Sequence, residues 1–181
     1  GTIQGRSSNG INRFLGIPYA EPPTGELRWK PPQRKGQLEG TFAADTFGPA
    51  CVQNQPQLSK TYTLPAEILQ SEDCLSLNIW APERAEDAAV FFWIHGGSLT
   101  IGSSSEPMYD GENLAKRGMI VVTINYRLGA FGWLAHPELS KEQGGTSGNY
   151  GVLDQICALE WVRANIRAFG GNPGNITVAG E

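Results

Sequence analysis

The chain has 181 residues, of which 40% are hydrophobic and 18% are charged. This balance is typical of a globular protein with a substantial core, and it excludes a disordered chain. The formal net charge of −4 argues against nucleic acid as a partner, and no apolar run reaches the ~20 residues that span a bilayer.

The first 50 residues predict strands and turns. Residues 11–17 mix apolar side chains with Gly16, and the segment that follows contains Pro18, Pro22, Pro23, Pro31 and Pro32. Because proline has no backbone N–H and fixes φ, these positions exclude a regular helix. Residues 51–73 then form a long connection with little periodicity.

The middle of the chain predicts three strands. Residues 74–80 alternate between apolar and polar, which is typical of a strand with one buried face. Residues 88–94 and 119–125 are apolar on both faces, as in central strands of a sheet that is covered on two sides. A short helix is expected between these two strands, at residues 113–117, with Gly118 at its end.

The last third predicts a long helix followed by a strand. Residues 129–148 are rich in glycine and are expected to be irregular. From residue 150, apolar side chains recur every three or four residues, with Asn149 as the candidate N-cap; they are Val152, Ile156, Leu159, Val162 and Ile166. We expect this helix to end at Gly170 and Gly171 and residues 176–179 to form a strand, which completes the order of elements of a mostly parallel α/β sheet.

Two glycine-containing bends carry the chemistry. His95-Gly96-Gly97-Ser98 follows a predicted buried strand, where small residues allow backbone N–H groups to turn towards a cavity and stabilise an oxyanion. Such a pair of glycines is also common in ordinary turns. The second bend follows strand 176–179: Gly180-Glu181 matches the first two residues of a Gly-x-Ser-x-Gly nucleophile elbow.

Four segments together resemble the type-B carboxylesterase and cholinesterase family of α/β-hydrolases. They are residues 14–23 (FLGIPYAEPP), 71–78 (SEDCLSLN), 95–98 (HGGS) and 169–181 (FGGNPGNITVAGE). The resemblance implies an α/β-hydrolase fold, with a mostly parallel central sheet, helices on both faces and an N-terminal antiparallel β region. Members of the family are about three times as long, so residues 1–181 are expected to be the N-terminal part of a single hydrolase domain.

The resemblance also assigns roles to site residues. It implies that the backbone N–H groups of Gly97 and Ser98 supply two of three oxyanion-hole donors, although the family usually has glycine or alanine at the position of Ser98. Glu181 would precede the nucleophilic serine and lie buried near the catalytic histidine; the alternative is a partly exposed carboxylate at a turn. Since the histidine and acid of the triad would lie downstream, neither His95 nor His136 is expected to be a member of the triad. His95 is expected to support the oxyanion loop.

The cysteines bear on the compartment. Cys51 and Cys74 border a polar loop where a bridge is plausible, Cys157 falls in a helical pattern, and three reduced cysteines remain the alternative. The resemblance implies a Cys51–Cys74 disulfide. It also implies two structural ion pairs, Arg28 with Glu72 and Arg127 with Asp154. A disulfide favours a secreted or periplasmic protein, with the cytoplasm as the alternative; residues 1–5 lack a signal-peptide pattern, so any signal has been removed or was never present.

The function implied is the hydrolysis of small-molecule carboxylic esters through an acyl-enzyme, without metal or organic cofactor. The remainder of the same hydrolase domain would be the partner of this chain. The alternative is a catalytically silent binding or adhesion domain of cholinesterase type, which glycine in place of serine after Glu181 would indicate. A complete protein of 181 residues, which would have no triad, and a chain broken at a chemically modified serine are further possibilities.

Two motifs refine this interpretation. Cholinesterases carry a tryptophan within the first disulfide loop, whereas residues 52–73 contain Tyr62 and no tryptophan, so choline esters are not the favoured substrate. Asn175-Ile176-Thr177 is a glycosylation sequon. It leads straight into a predicted strand, so we expect it to be unmodified.

Overall fold

The computed structural model describes residues 1–54 and 69–181; Tyr62 and the middle of the 51–73 connection lie outside them. The N-terminal region consists of short strands, as the prolines predicted. Its strands are β1 (Thr2–Gln4), β2 (Arg6–Ser8), β3 (Ile11–Pro18), β4 (Thr41–Ala43), β5 (Ala50–Cys51) and β6 (Gln70–Ser71). The helical part of residues 1–54 is one 3-10 turn, Gly25–Leu27.

Residues 72–181 supply four longer strands and four α-helices. The strands are β7 (Ser76–Pro82), β8 (Ala88–Ile94), β9 (Ile120–Ile124) and β10 (Gly171–Gly180). The helices are α1 (Glu112–Ala115), α2 (Gly129–Trp133), α3 (Pro137–Glu142) and α4 (Tyr150–Asn165). Further 3-10 turns lie at Pro107–Tyr109 and Ile166–Phe169.

A six-stranded mixed sheet organises these elements in the order β10-β8-β9-β7-β3-β2. Strands β10, β8 and β9 are parallel. The pairs β9–β7, β7–β3 and β3–β2 are antiparallel. The sheet therefore combines the predicted parallel part with the predicted N-terminal antiparallel region. Two-stranded pairs, β1 with β4 and β5 with β6, lie outside it.

Helices cover both faces of the sheet, as predicted. On one face, Ala158 and Val162 of α4 pack in the same buried cluster as Val90 and Val122. On the other face, Ala115 of α1 packs with residues of β7 and β9. Strand β9 is buried along its whole length, whereas β8 is buried on one face and half-buried on the face that carries Phe91 and Trp93.

Strand β7 differs from its predicted environment, because both of its faces are buried and not one. The alternating polar residue Asn78 is 1% exposed. Its side chain accepts a hydrogen bond from Gly16 N at 2.9 Å and donates to Ser104 Oγ and Thr123 Oγ1, both at 3.0 Å. A polar side chain with its hydrogen bonds satisfied can be buried. The alternating pattern therefore predicted the wrong exposure for the face that carries Asn78.

Helix α4 begins where predicted and ends at Asn165, from which a 3-10 turn continues to the predicted stop at Gly170; it presents a different face to the core. Asn149 takes the N-cap position with a left-handed backbone, and Gly170, at φ 86°, follows a final 3-10 turn. Val162 and Ile166 are buried, whereas Val152 and Ile156 are 39% and 49% exposed. The buried stripe is instead completed by Tyr150, Gly151, Asp154, Cys157 and Ala158.

Residues 129–148 contain helices α2 and α3, and the prediction of an irregular segment was wrong. The signals for α3 are local. His136 takes the N-cap position, Pro137 and Glu138 lie in the first turn, and Lys141 lies in the last turn. Proline is favoured at the first helical position, and charges of these signs complement the helix dipole.

The final strand, β10, forms one edge of the sheet. Its pairing with β8 shifts register between Gly171, which lies opposite Ala88, and Ile176, which lies opposite Val90. Asn175 of the sequon is exposed within this shift, and its expected lack of glycosylation remains a prediction.

Candidate active site

The two glycine-containing bends lie side by side. They follow β8 and β10, which are neighbouring parallel strands, and Gly180 is the register partner of Ile94. Glu181 N donates to the carbonyl of Ile94 at 3.4 Å. Since the carboxyl ends of parallel strands meet at one edge of a sheet, both bends open on the side where α/β proteins usually bind ligands.

Gly96 and Glu181 form the contact between the bends. A Cβ atom added to Gly96 would lie 2.6 Å from Cγ of Glu181 and 3.0 Å from its Oε1. The missing side chain at residue 96 therefore leaves the space that Glu181 occupies. Glu181 Oε1 also accepts a hydrogen bond of 2.6 Å from the hydroxyl of Tyr109.

Glu181 is the last residue described, and the expectation that it lies buried beside the nucleophile stays a prediction. Gly96 and Tyr109 contact its side chain, which fixes the direction of the carboxylate relative to the bend after β8.

The bend after β8 has an unusual backbone. Gly97, Ser98 and Leu99 have φ values of 105°, 53° and 62°, and left-handed backbone at a residue other than glycine costs on the order of 1–3 kcal/mol. A Cβ on Gly97 would lie only 2.1 Å from the carbonyl oxygen of Ile101. The Gly97 carbonyl accepts from the N–H groups of Thr100 and Ile101, both at 3.1 Å, and the loop is therefore folded tightly on itself.

His95 lies beneath this loop and is 1% exposed. Its Nδ1 donates to the Gly96 carbonyl at 2.8 Å, and its ring stacks on Tyr126 with 4.5 Å between centroids. Burial lowers the pKa of His95 to about 4, against the opposing effects of the Gly96 hydrogen bond and the charge of Glu181. A neutral imidazole therefore supports the loop near neutral pH.

A buried polar network fixes the segment that follows the loop. Asn125 Oδ1 accepts from Ser104 N at 2.9 Å and from Ser103 Oγ at 3.3 Å. Glu106, also buried, accepts from Ser103 N at 3.0 Å. Burial raises the pKa of Glu106; the hydrogen bond from Ser103 opposes this effect, and the charge of Glu181 adds to it.

Sequence reasoning missed Tyr109 and Glu106 as neighbours of Glu181. Tyr109 is 72 positions from Glu181 along the chain, and no local pattern connects the two. The Ser103–Ser105 run provides a signal in retrospect, because a run of serines that is fully buried must find hydrogen-bond partners.

The remaining predicted site residues pair with one another outside the two bends. Cys51 and Cys74 form a disulfide across a separation of 23 residues, and Cys157 is free and buried. Arg28 makes two hydrogen bonds of 2.6 Å to Glu72. Arg127 makes bonds of 2.8 and 2.7 Å to Asp154, and both of these side chains are buried.

Residues 1–54 and 69–181 contain neither a metal-binding cluster nor a membrane-spanning helix. Within these ranges, no three His, Cys, Asp or Glu side chains come together in a way that could hold a metal ion. The helices of the same ranges all fall short of the length and apolarity needed to cross a membrane.

The mixed sheet, the helices on both faces and the paired bends at the ends of parallel strands are those of the N-terminal part of an α/β-hydrolase. The sequence model of the carboxylesterase family matches residues 1–181. The chain belongs to the carboxylesterase family.

Individual relatives agree with this assignment. Para-nitrobenzyl esterase of Bacillus subtilis (strain 168) is 48% identical over 184 residues, a match that covers 100% of this chain and 36% of the relative. Fumonisin B1 esterase of Sphingopyxis macrogoltabida is 45% identical, with 100% of this chain and 33% of the relative covered. A solved PNB esterase structure superposes with a TM-score of 0.90 at 46% identity, over 99% of this chain and 36% of that one. The chain therefore spans about a third of the length of these relatives.

Proposed function

We propose that the full-length protein hydrolyses carboxylic esters through an acyl-enzyme intermediate. The hydroxyl of a serine that follows Glu181 attacks the ester carbonyl while a histidine accepts its proton, and the bond to the alcohol oxygen breaks as the histidine returns that proton. Water then attacks the acyl-enzyme by the same route and releases the acid. The histidine and its acidic partner come from the chain after residue 181.

The adjacency of the two bends is the observation that carries this proposal. Because Gly180 lies opposite Ile94 and Glu181 packs on Gly96, a residue that follows Glu181 begins next to the bend that contains Gly97 and Ser98. A nucleophile at that position would lie close to the backbone N–H groups of this bend, which is the arrangement that acyl transfer requires.

We assign the N–H groups of Gly97 and Ser98 to the oxyanion hole. The tight fold of residues 97–101, with two hydrogen bonds of 3.1 Å to the Gly97 carbonyl, supports this role because preorganised donors need no rearrangement as charge develops. Each such donor lowers the barrier by about 3–4 kcal/mol. The donor at residue 98 is a backbone group, so serine in place of the usual glycine or alanine is compatible with the role.

Labelling of the full-length protein with a fluorophosphonate tests the proposal. We expect one covalent adduct per molecule, located by peptide mapping at the residue that follows Glu181. We also expect the protein to release p-nitrophenol from p-nitrophenyl esters, because these compounds have a good leaving group and a small acyl part.

A variant with alanine after Glu181 provides the control, and it should lose both labelling and hydrolysis. An unlabelled full-length protein that carries glycine after Glu181 would contradict the proposal. It would instead support the catalytically silent binding domain.

Two narrower proposals concern substrate and compartment. Residues 52–73 lack a tryptophan, and a tryptophan face is the best aromatic binder of a quaternary ammonium, so we propose esters of uncharged alcohols over choline esters. The Cys51–Cys74 disulfide favours an oxidising compartment, and we propose a secreted or periplasmic protein.

A further inference from the structure

The side-chain amide of Gln53 holds both polar groups of the Gly102 backbone. Gly102 N donates to Gln53 Oε1 at 2.8 Å, and Gln53 Nε2 donates to the Gly102 carbonyl at 2.8 Å. The two residues are 49 positions apart in the chain. The side-chain amide thus pairs its N–H and C=O with the backbone C=O and N–H of one residue, as a neighbouring strand does in a sheet.

Gly102 in turn lies against the start of the glycine-rich bend. Its φ of 108° is unfavourable for other residues, and a Cβ at this position would lie 2.5 Å from His95 Nδ1 and 2.7 Å from the Gly96 carbonyl oxygen. Gly102 is therefore packed on the peptide that precedes Gly97. A displacement of Gly102 would move the groups that fix the direction of the Gly97 and Ser98 N–H bonds.

Gln53 is itself anchored to the base of the disulfide loop. Its Nε2 donates to the Cys51 carbonyl at 3.0 Å, and its backbone N donates to Gln70 Oε1 at 2.9 Å. Cys51 is bonded to Cys74, and β5 and β6 pair at the same place. The anchor is thus a covalently closed segment, and Gln53 connects it to the bend.

We propose that Gln53 is a positioning residue for ester hydrolysis. It connects the Cys51–Cys74 disulfide and the β5–β6 pair to the oxyanion bend through Gly102, and it does not touch the substrate. This inference rests on the proposed function. It adds that the disulfide-bonded segment, remote from the nucleophile in sequence, sets the direction of the oxyanion donors.

The test compares two variants of the full-length protein, Gln53→Leu and Gln143→Leu. Gln143 is a matched control because its side chain also joins distant segments, donating to the Trp29 carbonyl at 2.8 Å and to the Tyr150 hydroxyl at 3.0 Å. Three readouts are needed: amide hydrogen exchange of the peptide 96–106, kcat and KM with p-nitrophenyl acetate, and the inhibition constant of a trifluoromethyl ketone. The ketone reacts with the serine to form a tetrahedral adduct whose oxyanion occupies the oxyanion hole.

We expect Gln53→Leu to accelerate hydrogen exchange of the Gly102 amide and to lower kcat/KM by roughly 10- to 100-fold. Removal of one oxyanion-hole donor lowers kcat by about 10²- to 10³-fold, and a donor that is only displaced should lower it less. The inhibition constant of the ketone should rise by a similar factor. Gln143→Leu should lower the melting temperature by a comparable amount and leave all three readouts within about twofold, as for a bond remote from the reacting atoms.

Each other outcome has a distinct meaning. Unchanged exchange at Gly102 in Gln53→Leu, or equal loss of kcat/KM in both variants, would overturn the inference. If exchange is faster in Gln53→Leu but the wild-type protein neither hydrolyses esters nor binds the ketone, the proposed function is overturned and, with it, the positioning role of Gln53. The hydrogen-bonded connection between Gln53 and Gly102 would then stand as a structural feature alone.

Discussion

At the scale of single residues, Gly96 is where the two bends come into contact. A Cβ on residue 96 would lie 2.6 Å from Glu181 Cγ, which is shorter than a non-bonded contact between two carbon atoms. The neighbour is a side chain next to the proposed nucleophile, so a larger residue at position 96 would act on the site through Glu181.

We predict that Gly96→Ala lowers kcat of the full-length protein by about 10- to 100-fold, because a displacement near 1 Å at a reacting group costs up to 10²-fold. Gly36→Ala is the matched control, because a Cβ there meets no atom within 4 Å. Steady-state kinetics with p-nitrophenyl acetate measures both variants. Equal kcat in Gly96→Ala and Gly36→Ala would show that the contact has no bearing on the reaction.

At this scale, the residues that could be predicted from sequence were those with a local motif. Gly97 and Ser98 follow a buried strand, and Cys51 and Cys74 border one loop. Tyr109 and Gln53 could not be predicted in this way. Their partners, Glu181 and Gly102, are reached only after the sheet brings distant segments together.

At the scale of elements, the Arg127–Asp154 pair joins the segment after β9 to helix α4. The guanidinium and carboxylate are 3% and 0% exposed, and Arg127 Nη1 also donates to the Lys30 carbonyl at 2.9 Å. Removal of one partner from such a pair leaves a buried charge without compensation. The pair therefore matters for the correct docking of α4 on the sheet.

Asp154→Asn should lower the free energy of unfolding by about 3–5 kcal/mol, as expected for one half of a buried pair. Glu160→Gln on the same helix removes the partner of Arg34 from an exposed pair, in which the side chains are 73% and 46% exposed, and should cost about 0.2–1 kcal/mol. Denaturant unfolding of the full-length protein compares them. Similar losses in the two variants would contradict the importance of the buried pair.

The positions of strands and the boundaries of helices were more predictable from the sequence than the face that each element buries. Gly170 marked the end of the 3-10 turn that extends α4, since its left-handed backbone favours glycine. The apolar spacing assigned Val152 and Ile156 to the core, whereas the core face carries Asp154 and Tyr150. Hydrophobic periodicity cannot identify a buried carboxylate whose partner, Arg127, lies 27 residues away.

At the scale of the whole molecule, His95 couples stability to pH. Its pKa in the folded protein is about 4, and that of an unfolded histidine is about 6.5. Between these values the unfolded chain binds a proton that the folded chain does not, so stability is full above pH 6.5 and falls as the pH drops towards 4.

We predict that His95 accounts for a loss of about 2 kcal/mol between pH 7 and pH 5. The loss should be visible as a lower melting temperature of the full-length protein at pH 5 than at pH 7. For His95→Asn, the difference between its own melting temperatures at these two pH values should lack this contribution. His136→Asn is the control: His136 is exposed, and asparagine can retain its N-cap role, so wild-type pH dependence is expected. If His95→Asn also follows the wild-type curve, the effect belongs to other groups.

The shift in register along β10 has a consequence for how this chain tolerates changes in length. Five steps along β10, from Gly171 to Ile176, lie opposite two steps along β8, from Ala88 to Val90. The surplus of three residues is taken up before the regular ladder begins, so an insertion or deletion at the exposed residues 174–175 would leave the ladder from Ile176 to Gly180 in register. One residue added between Ile176 and Gly180 would instead advance everything downstream by about 3.3 Å, and Glu181 would no longer meet Gly96.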